Sequence, residues 1–163
     1  MSLRYDDRWI WDFWTAIDGP DVHLFHLQAP RALGDPELRH RHATVGHAVS
    51  RDLRTWTELP TALAAGPPGA FDDLATWTGS VMRHGRRWHM LYRGFSRAEG
   101  GAVQRIGRAT SDDLVHWERW RRRPTLGASD VESQGGPLSG RGRMPGCRAC
   151  ESVSSRAGAT VPA

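Results

Sequence analysis

Asp12 stands inside the run Trp9-Ile10-Trp11-Asp12-Phe13-Trp14, a carboxylate among aromatic side chains. Strands disfavour Asp, and a buried charge is costly unless hydrogen-bonded. The position therefore holds either a satisfied or bulge-site structural Asp or a carboxylate kept for chemistry. Three other groupings draw the eye less. Cys147-Arg148-Ala149-Cys150 is a single C-x-x-C with no second pair and no βαβ pattern nearby, so it reads as neither a metal nor a redox site. His40-Arg41-His42 offers two imidazoles without a third ligand and reads as a solvated loop. Arg119 to Arg123, interrupted by Trp120, mixes cations with an aromatic as single-strand binders do, but as a lone run it reads as a blade edge or linker.

The elements that position these residues come from the first 120 positions. Those positions hold all 8 Trp and balance 15 Arg against 15 acidic side chains. Positions 121–163 contain no Trp, Tyr or Phe and set 7 Arg against Asp130, Glu132 and Glu151, so the whole net charge of +4 lies there. Such a segment cannot bury enough apolar surface to offset its ordering entropy, and a disordered basic tail over 127–163 is expected. Every basic residue is Arg, Lys and Asn being absent, so the pI near 10.0 says little about a polyanionic partner. A neutral front argues against nucleic acid as partner. No apolar run approaches the roughly 20 residues needed to cross a bilayer, and the first residues lack the apolar core of a secretory signal. No membrane association and a cytoplasmic location are the expectations.

The front carries an internal repeat. Gly46-His47-Ala48-Val49-Ser50-Arg51-Asp52-Leu53-Arg54-Thr55-Trp56 recurs at an offset of 61 as Gly107-Arg108-Ala109-Thr110-Ser111-Asp112-Asp113-Leu114-Val115-His116-Trp117, with six identities. Upstream, Trp11, Gly19, His23, Leu24 and Phe25 match Trp77, Gly85, His89, Met90 and Leu91 at an offset of 66. Short aromatic-rich runs bounded by Gly, Pro and charged turns predict four strands per copy. They are expected over 9–17, 21–28, 44–50 and 55–59, and over 76–83, 87–93, 104–111 and 116–120, with Gly66-Pro67-Pro68-Gly69 as the linker. Four antiparallel strands repeated at this period fit blades of a β-propeller, one over about 9–63 and one over 71–126, within a unit spanning 1–126. In Ser-x-Asp-Leu-x-x-Trp, Asp52 and Asp113 are expected to bond turn amides. Leu53, Trp56, Leu114 and Trp117 are expected to wedge between blades, with Trp56 and Trp117 at equivalent buried positions. Two blades do not close a ring of about 4 to 8, so the fold class is all-β, an incomplete propeller, and the chain reads as part of something larger.

Two copies of Ser-x-Asp-Leu-x-x-Trp, the acidic strand around Asp12 and the segment Ala75-Thr76-Trp77-Thr78-Gly79-Ser80 together resemble the five-bladed propeller glycosidases of families 32, 43 and 68, over about residues 5–126. The resemblance implies a funnel ringed by carboxylates and hydrolysis of glycosidic bonds, with fructofuranosides among the candidate substrates, a carbohydrate as partner and neither metal nor other cofactor. It assigns Asp12 as the first of three carboxylates, acting as base or nucleophile. Passage through an oxocarbenium-like transition state needs one ionised and one protonated carboxyl group. It also implies substrate contacts for Trp11, Trp77, Thr78 and Ser80, with Trp77 available to stack on a sugar face and the hydroxyls to bond ring oxygens. Two departures stand out. Trp11 and Phe13-Trp14-Thr15 flank Asp12 where the fructan-cleaving family has Asn and Pro-Asn-Gly, and the Arg-Asp-Pro that supplies a second carboxylate is absent. A truncated or frameshifted glycosidase, weak or inactive as this chain, is the leading expectation. A non-catalytic carbohydrate-binding or interaction module is the alternative, and self-association through uncovered blade surfaces is expected with either.

Overall fold

The computed structural model describes residues 3–120. These form two four-stranded antiparallel sheets joined in sequence, with no helix longer than a short 3₁₀ turn. Blade one consists of β1 (Arg8–Asp18), β2 (Asp21–Pro30), β3 (Thr44–Ser50) and β4 (Thr57–Leu63); blade two consists of β5 (Ala75–His84), β6 (Arg87–Phe95), β7 (Gln104–Ser111) and β8 (Glu118–Arg119). Strand order follows chain order in both. Gly19 (φ 57°) and Gly85 (φ 60°) stand first in the tight loops joining the two inner strands of each blade, a left-handed position that a side chain would strain. The long β2–β3 connection contains 3₁₀ turns over Arg31–Leu33 and Pro36–Arg41, the second capped by the Asp35 carboxylate accepting from the Glu37 N–H. The expected tail over 127–163, Cys147, Cys150 and Arg121 to Arg123 lie outside the described residues.

The repeated motif builds the same turn twice. In blade one the Asp52 carboxylate accepts the Arg54 and Thr55 N–H groups, at 2.8 and 2.7 Å, while Ser50 Oγ accepts the Leu53 N–H. In blade two Asp113 accepts from Val115 and His116. Because Asp52 holds Arg54 and Thr55 in the turn, β4 starts at Thr57, two residues later than expected, and runs on to Leu63. The fourth residue of each motif copy is left-handed, Leu53 at φ 57° and Leu114 at φ 66°. The structure also extends the repeat upstream. Tyr5-Asp6-Asp7 and Phe71-Asp72-Asp73 are related by the same offset of 66, and the Tyr5 ring lies against His26 as Phe71 lies against Tyr92.

Each sheet has a front face and a back face, fixed by register. Cross-strand rows Thr15, Leu24, Ala48 and Val81, Met90, Ala109 are equivalent front rows; Trp14, Phe25, His47 and Ser80, Leu91, Arg108 are equivalent back rows. The core is the seam where the front of blade two meets the back of blade one. Trp88, Met90, Tyr92, Ala109 and Leu114 pack there with Ala16, Phe25, Leu27, Val45 and Leu63. Trp117 closes it edge-on against Phe25, with ring centroids 5.8 Å apart. Trp56 and Trp117 occupy equivalent positions but are half-buried, not buried as expected. Each stands at the end of its turn on the blade rim, and the Trp117 indole N–H donates back to the Leu114 carbonyl at 2.7 Å. Leu53, expected to wedge between blades, is exposed, because no described element packs on the front of blade one.

Candidate active site

A β-bulge interrupts each inner strand at the same repeat position. On β1 the pairing passes from Trp11–Leu27 to Phe13–His26, leaving Asp12 as the extra residue, at φ 48°. On β5 it passes from Trp77–Arg93 to Gly79–Tyr92, leaving Thr78. A bulge releases its extra residue from the ladder and re-aims its side chain. Here the two side chains meet across the seam: Thr78 Oγ1 donates to Asp12 Oδ2 at 2.6 Å, while Asp12 stays exposed. Left-handed backbone is tolerated by Asp better than by most residues but still carries strain, which a structure usually retains at sites of function.

The other carboxylates are occupied differently. Asp7 and Glu58 hold Arg8, Asp21 holds Arg51, Glu99 holds Arg105 and Asp112 holds Arg87. Asp73 accepts the Gly69 and Arg97 N–H groups, which lower its pKa. Buried Asp72 accepts from Tyr92 Oη and from Arg119 Nε, each at 2.8 Å, and burial pushes the Tyr92 phenol up. Asp12 instead takes its bond from a neutral hydroxyl. That leaves its negative charge uncancelled by an adjacent guanidinium and its second oxygen open for a reacting centre.

The two tryptophans assigned to substrate are gathered around His40. Its ring lies 6.0 Å from Trp11, edge-on, and 5.6 Å from Trp77, and its carbonyl accepts the Trp77 indole N–H at 2.8 Å. Trp77 also packs on Phe95 at 4.5 Å and Trp11 lies under the Arg39 guanidinium. Both indoles are half-buried. Ser80 lies exposed on β5 opposite Leu91, beyond the bulge. The site thus unites Asp12 with Thr78 and unites Trp11 with Trp77 through His40; Ser80 bonds none of the four among the described residues. His40 carries a role that its sequence context concealed. Buried Asp72, one carboxylate oxygen of which has no partner, was equally hidden, although its repeat partner Asp6 marks the position.

Residues 21–134 match the sequence model of the glycosyl hydrolases family 32 N-terminal domain. The chain belongs to this family. Among curated relatives of family 32 type, it is 36% identical over 110 residues to beta-fructofuranosidase 1 of Zea mays, covering 64% of this chain and 16% of that protein. It is 35% identical over 86 residues to a bifunctional fructosyltransferase of Allium cepa, covering 51% of this chain and 14% of that protein. The chain therefore spans about one sixth of the curated relatives it matches. Among solved structures, fructan 1-exohydrolase IIa of Cichorium intybus in complex with 1-kestose superposes with a TM-score of 0.64 at 23% identity, over 77% of this chain and 23% of that one. At that identity the likeness establishes the fold, a pair of propeller blades.

Proposed function

We propose that this family 32 chain is the carboxylate-bearing portion of a glycoside hydrolase acting on fructofuranosides, with Asp12 as nucleophile or base. The observation that supports this most directly is the Thr78–Asp12 bond between equivalent bulges of adjacent blades. A hydroxyl donor fixes the orientation of one carboxylate oxygen without neutralising the group, so the ionised form faces the developing oxocarbenium charge. The leaving oxygen requires a separate protonated carboxyl group, and that role is assigned to none of the described residues. Trp11, in place of the Asn of the fructan-cleaving family, and the half-buried Trp77 flank His40, next in sequence to Asp12 and Thr78.

The test compares the 163-residue chain with a form extended by further blades, using release of fructose from sucrose and 1-kestose. The chain alone is expected to give background turnover. The extended form is expected to hydrolyse a fructoside, with Asp12→Asn lowering kcat by roughly 10³-fold or more. Thr78→Val should lower kcat by about tenfold or more with little change in KM, and Thr78→Ser should retain activity. Hydrolysis undiminished by Asp12→Asn would overturn the assignment. Binding of 1-kestose without any hydrolysis by the extended form would favour a non-catalytic carbohydrate-binding module.

A further inference from the structure

The seam inside the molecule joins a front face to a back face, and among the described residues no element covers the other face of each blade. The front of blade one exposes Phe13 (56%), Ile17 (66%) and Leu53 (61%). At the position equivalent to Leu53 on blade two, Leu114 is wholly inaccessible with the same left-handed backbone, while Phe13 and Ile17 correspond to Gly79 and the exposed Arg83. Exposed large apolar residues gathered on one sheet face mark a surface that associates.

The back of blade two, meanwhile, copies the back of blade one. Leu91 stands where Phe25 stands, Ile106 where Val45 stands and Met82 where Ala16 stands. Even the central polar pair is reproduced. In blade one His23 Nδ1 meets His47 Nε2 at 2.9 Å; in blade two His89 Nδ1 accepts from the Arg108 guanidinium at 2.9 Å. Arg108, stacked over Trp120, bonds no carboxylate among the described residues. Within the seam, the field of Asp113 reaches both His23 and His47. Asp113 is the turn residue next to Leu114, and its repeat partner is Asp52, next to the exposed Leu53. A front face laid on the back of blade two by the same geometry therefore carries Asp52 to the unpaired Arg108 and Trp56 to Leu91, as Trp117 meets Phe25 in the seam. Three apolar positions of the seam are kept, at Met82, Leu91 and Ile106, while Ser80 and Arg93 replace Trp14 and Leu27, and the central pair becomes a carboxylate facing a guanidinium.

We infer that a second copy of this chain occupies these faces, the blade-one front of one molecule docking on the blade-two back of the next. The contact joins unlike faces, so it is heterologous and ends only by ring closure. Two-bladed copies reach the roughly 4 to 8 blades of closed propellers with two, three or four molecules.

The experiment is sedimentation velocity of the full 163-residue chain over a concentration series, with two single variants. Leu53→Asp spoils the front face at a left-handed position that Asp tolerates. Arg108→Glu spoils the back face at a partly exposed position. The wild type is expected to associate with concentration. Each variant alone is expected to weaken association by about tenfold or more. An equimolar mixture of the two should form a one-to-one dimer, because each retains the face the other lacks. Near-ultraviolet circular dichroism of the tryptophans verifies that both variants fold; if either does not, Ile17→Asp replaces Leu53→Asp and Leu91→Asp replaces Arg108→Glu. A wild type that stays monomeric throughout would overturn the inference and point to residues 121–163 or to another protein as the cover. Association that survives both variants, or singly blocked variants that fail to dimerise when mixed, would overturn it equally.

Discussion

Leu53 and Leu114 hold the same place in the same seven-residue motif, follow the same Ser–Asp hydrogen-bonded turn and share a left-handed backbone, yet one is largely exposed and the other inaccessible. Along the equivalent front rows Met90 is buried in the seam while Leu24 is half-buried, although Ala48 and Ala109 are both inaccessible. The turn geometry is therefore a property of the motif itself, set by Ser and Asp bonding to nearby backbone amides. Burial is a property of the neighbour. A residue's energetic worth in this molecule depends on which blade it faces, not on how well its local sequence matches the repeat.

The widest gap between the two regions should appear when the leucines are truncated. Leu114→Ala empties a packed site and is expected to cost about 2–5 kcal/mol, whereas Leu53→Ala should stay within about 0.5 kcal/mol when measured by urea unfolding at a dilution that keeps the protein monomeric. Equal losses would mean that the front of blade one is also covered.

The back faces differ in their response to acid. Burial holds the His47 imidazole down at about 3, and burial also lowers His23, its partner at 2.9 Å. A histidine whose pKa is depressed by folding stabilises the native state fully above the unfolded value, near 6.5, and loses that contribution as pH falls towards the folded value. Stability should therefore decline from about pH 6.5 towards pH 3, by up to about 1.4 kcal/mol per pH unit from His47. His47→Leu should flatten this slope over that interval in a series of denaturant titrations. His89→Leu, on the uncovered back face, should change it far less.

The smallest expected difference concerns Gly46 and Gly107, equivalent residues of the third strand of each blade. A Cβ on Gly107 would fall on the rings of Phe71 and Tyr92, the latter pinned by its bond to Asp72. A Cβ on Gly46 would meet His26 and the movable end of Gln28. Gly107→Ala should cost about 1–3 kcal/mol in thermal unfolding and Gly46→Ala less, since one neighbour there can give way. The reverse order would show that His26 is held more firmly than Tyr92.

Strand number, antiparallel order and the two-blade division were legible because a repeated pattern of apolar residues and turns carries them. The oddity of Asp12 was legible too, as a carboxylate in an aromatic strand. Its partner was present in the arithmetic, since an offset of 66 takes Asp12 to Thr78, but a hydroxyl in a strand violates no propensity and attracts no attention. The placement of His40 was not legible. It depends on how the Pro36–Arg41 turn folds back over Trp11 and Trp77, and no local periodicity encodes that. The contrast between Leu53 and Leu114 lay beyond any local pattern, because their sequence contexts agree and only their surroundings differ.

The bond from Thr78 to Asp12 joins residues of different sheets, so neither blade alone can hold the carboxylate in its observed orientation. The placement of the Asp12 carboxylate is in that sense a shared possession of the two blades. A brief parting of the seam, with every strand of both sheets still intact, would free the carboxylate to swing. The orientation of Asp12 is thus less durable than the fold that displays it.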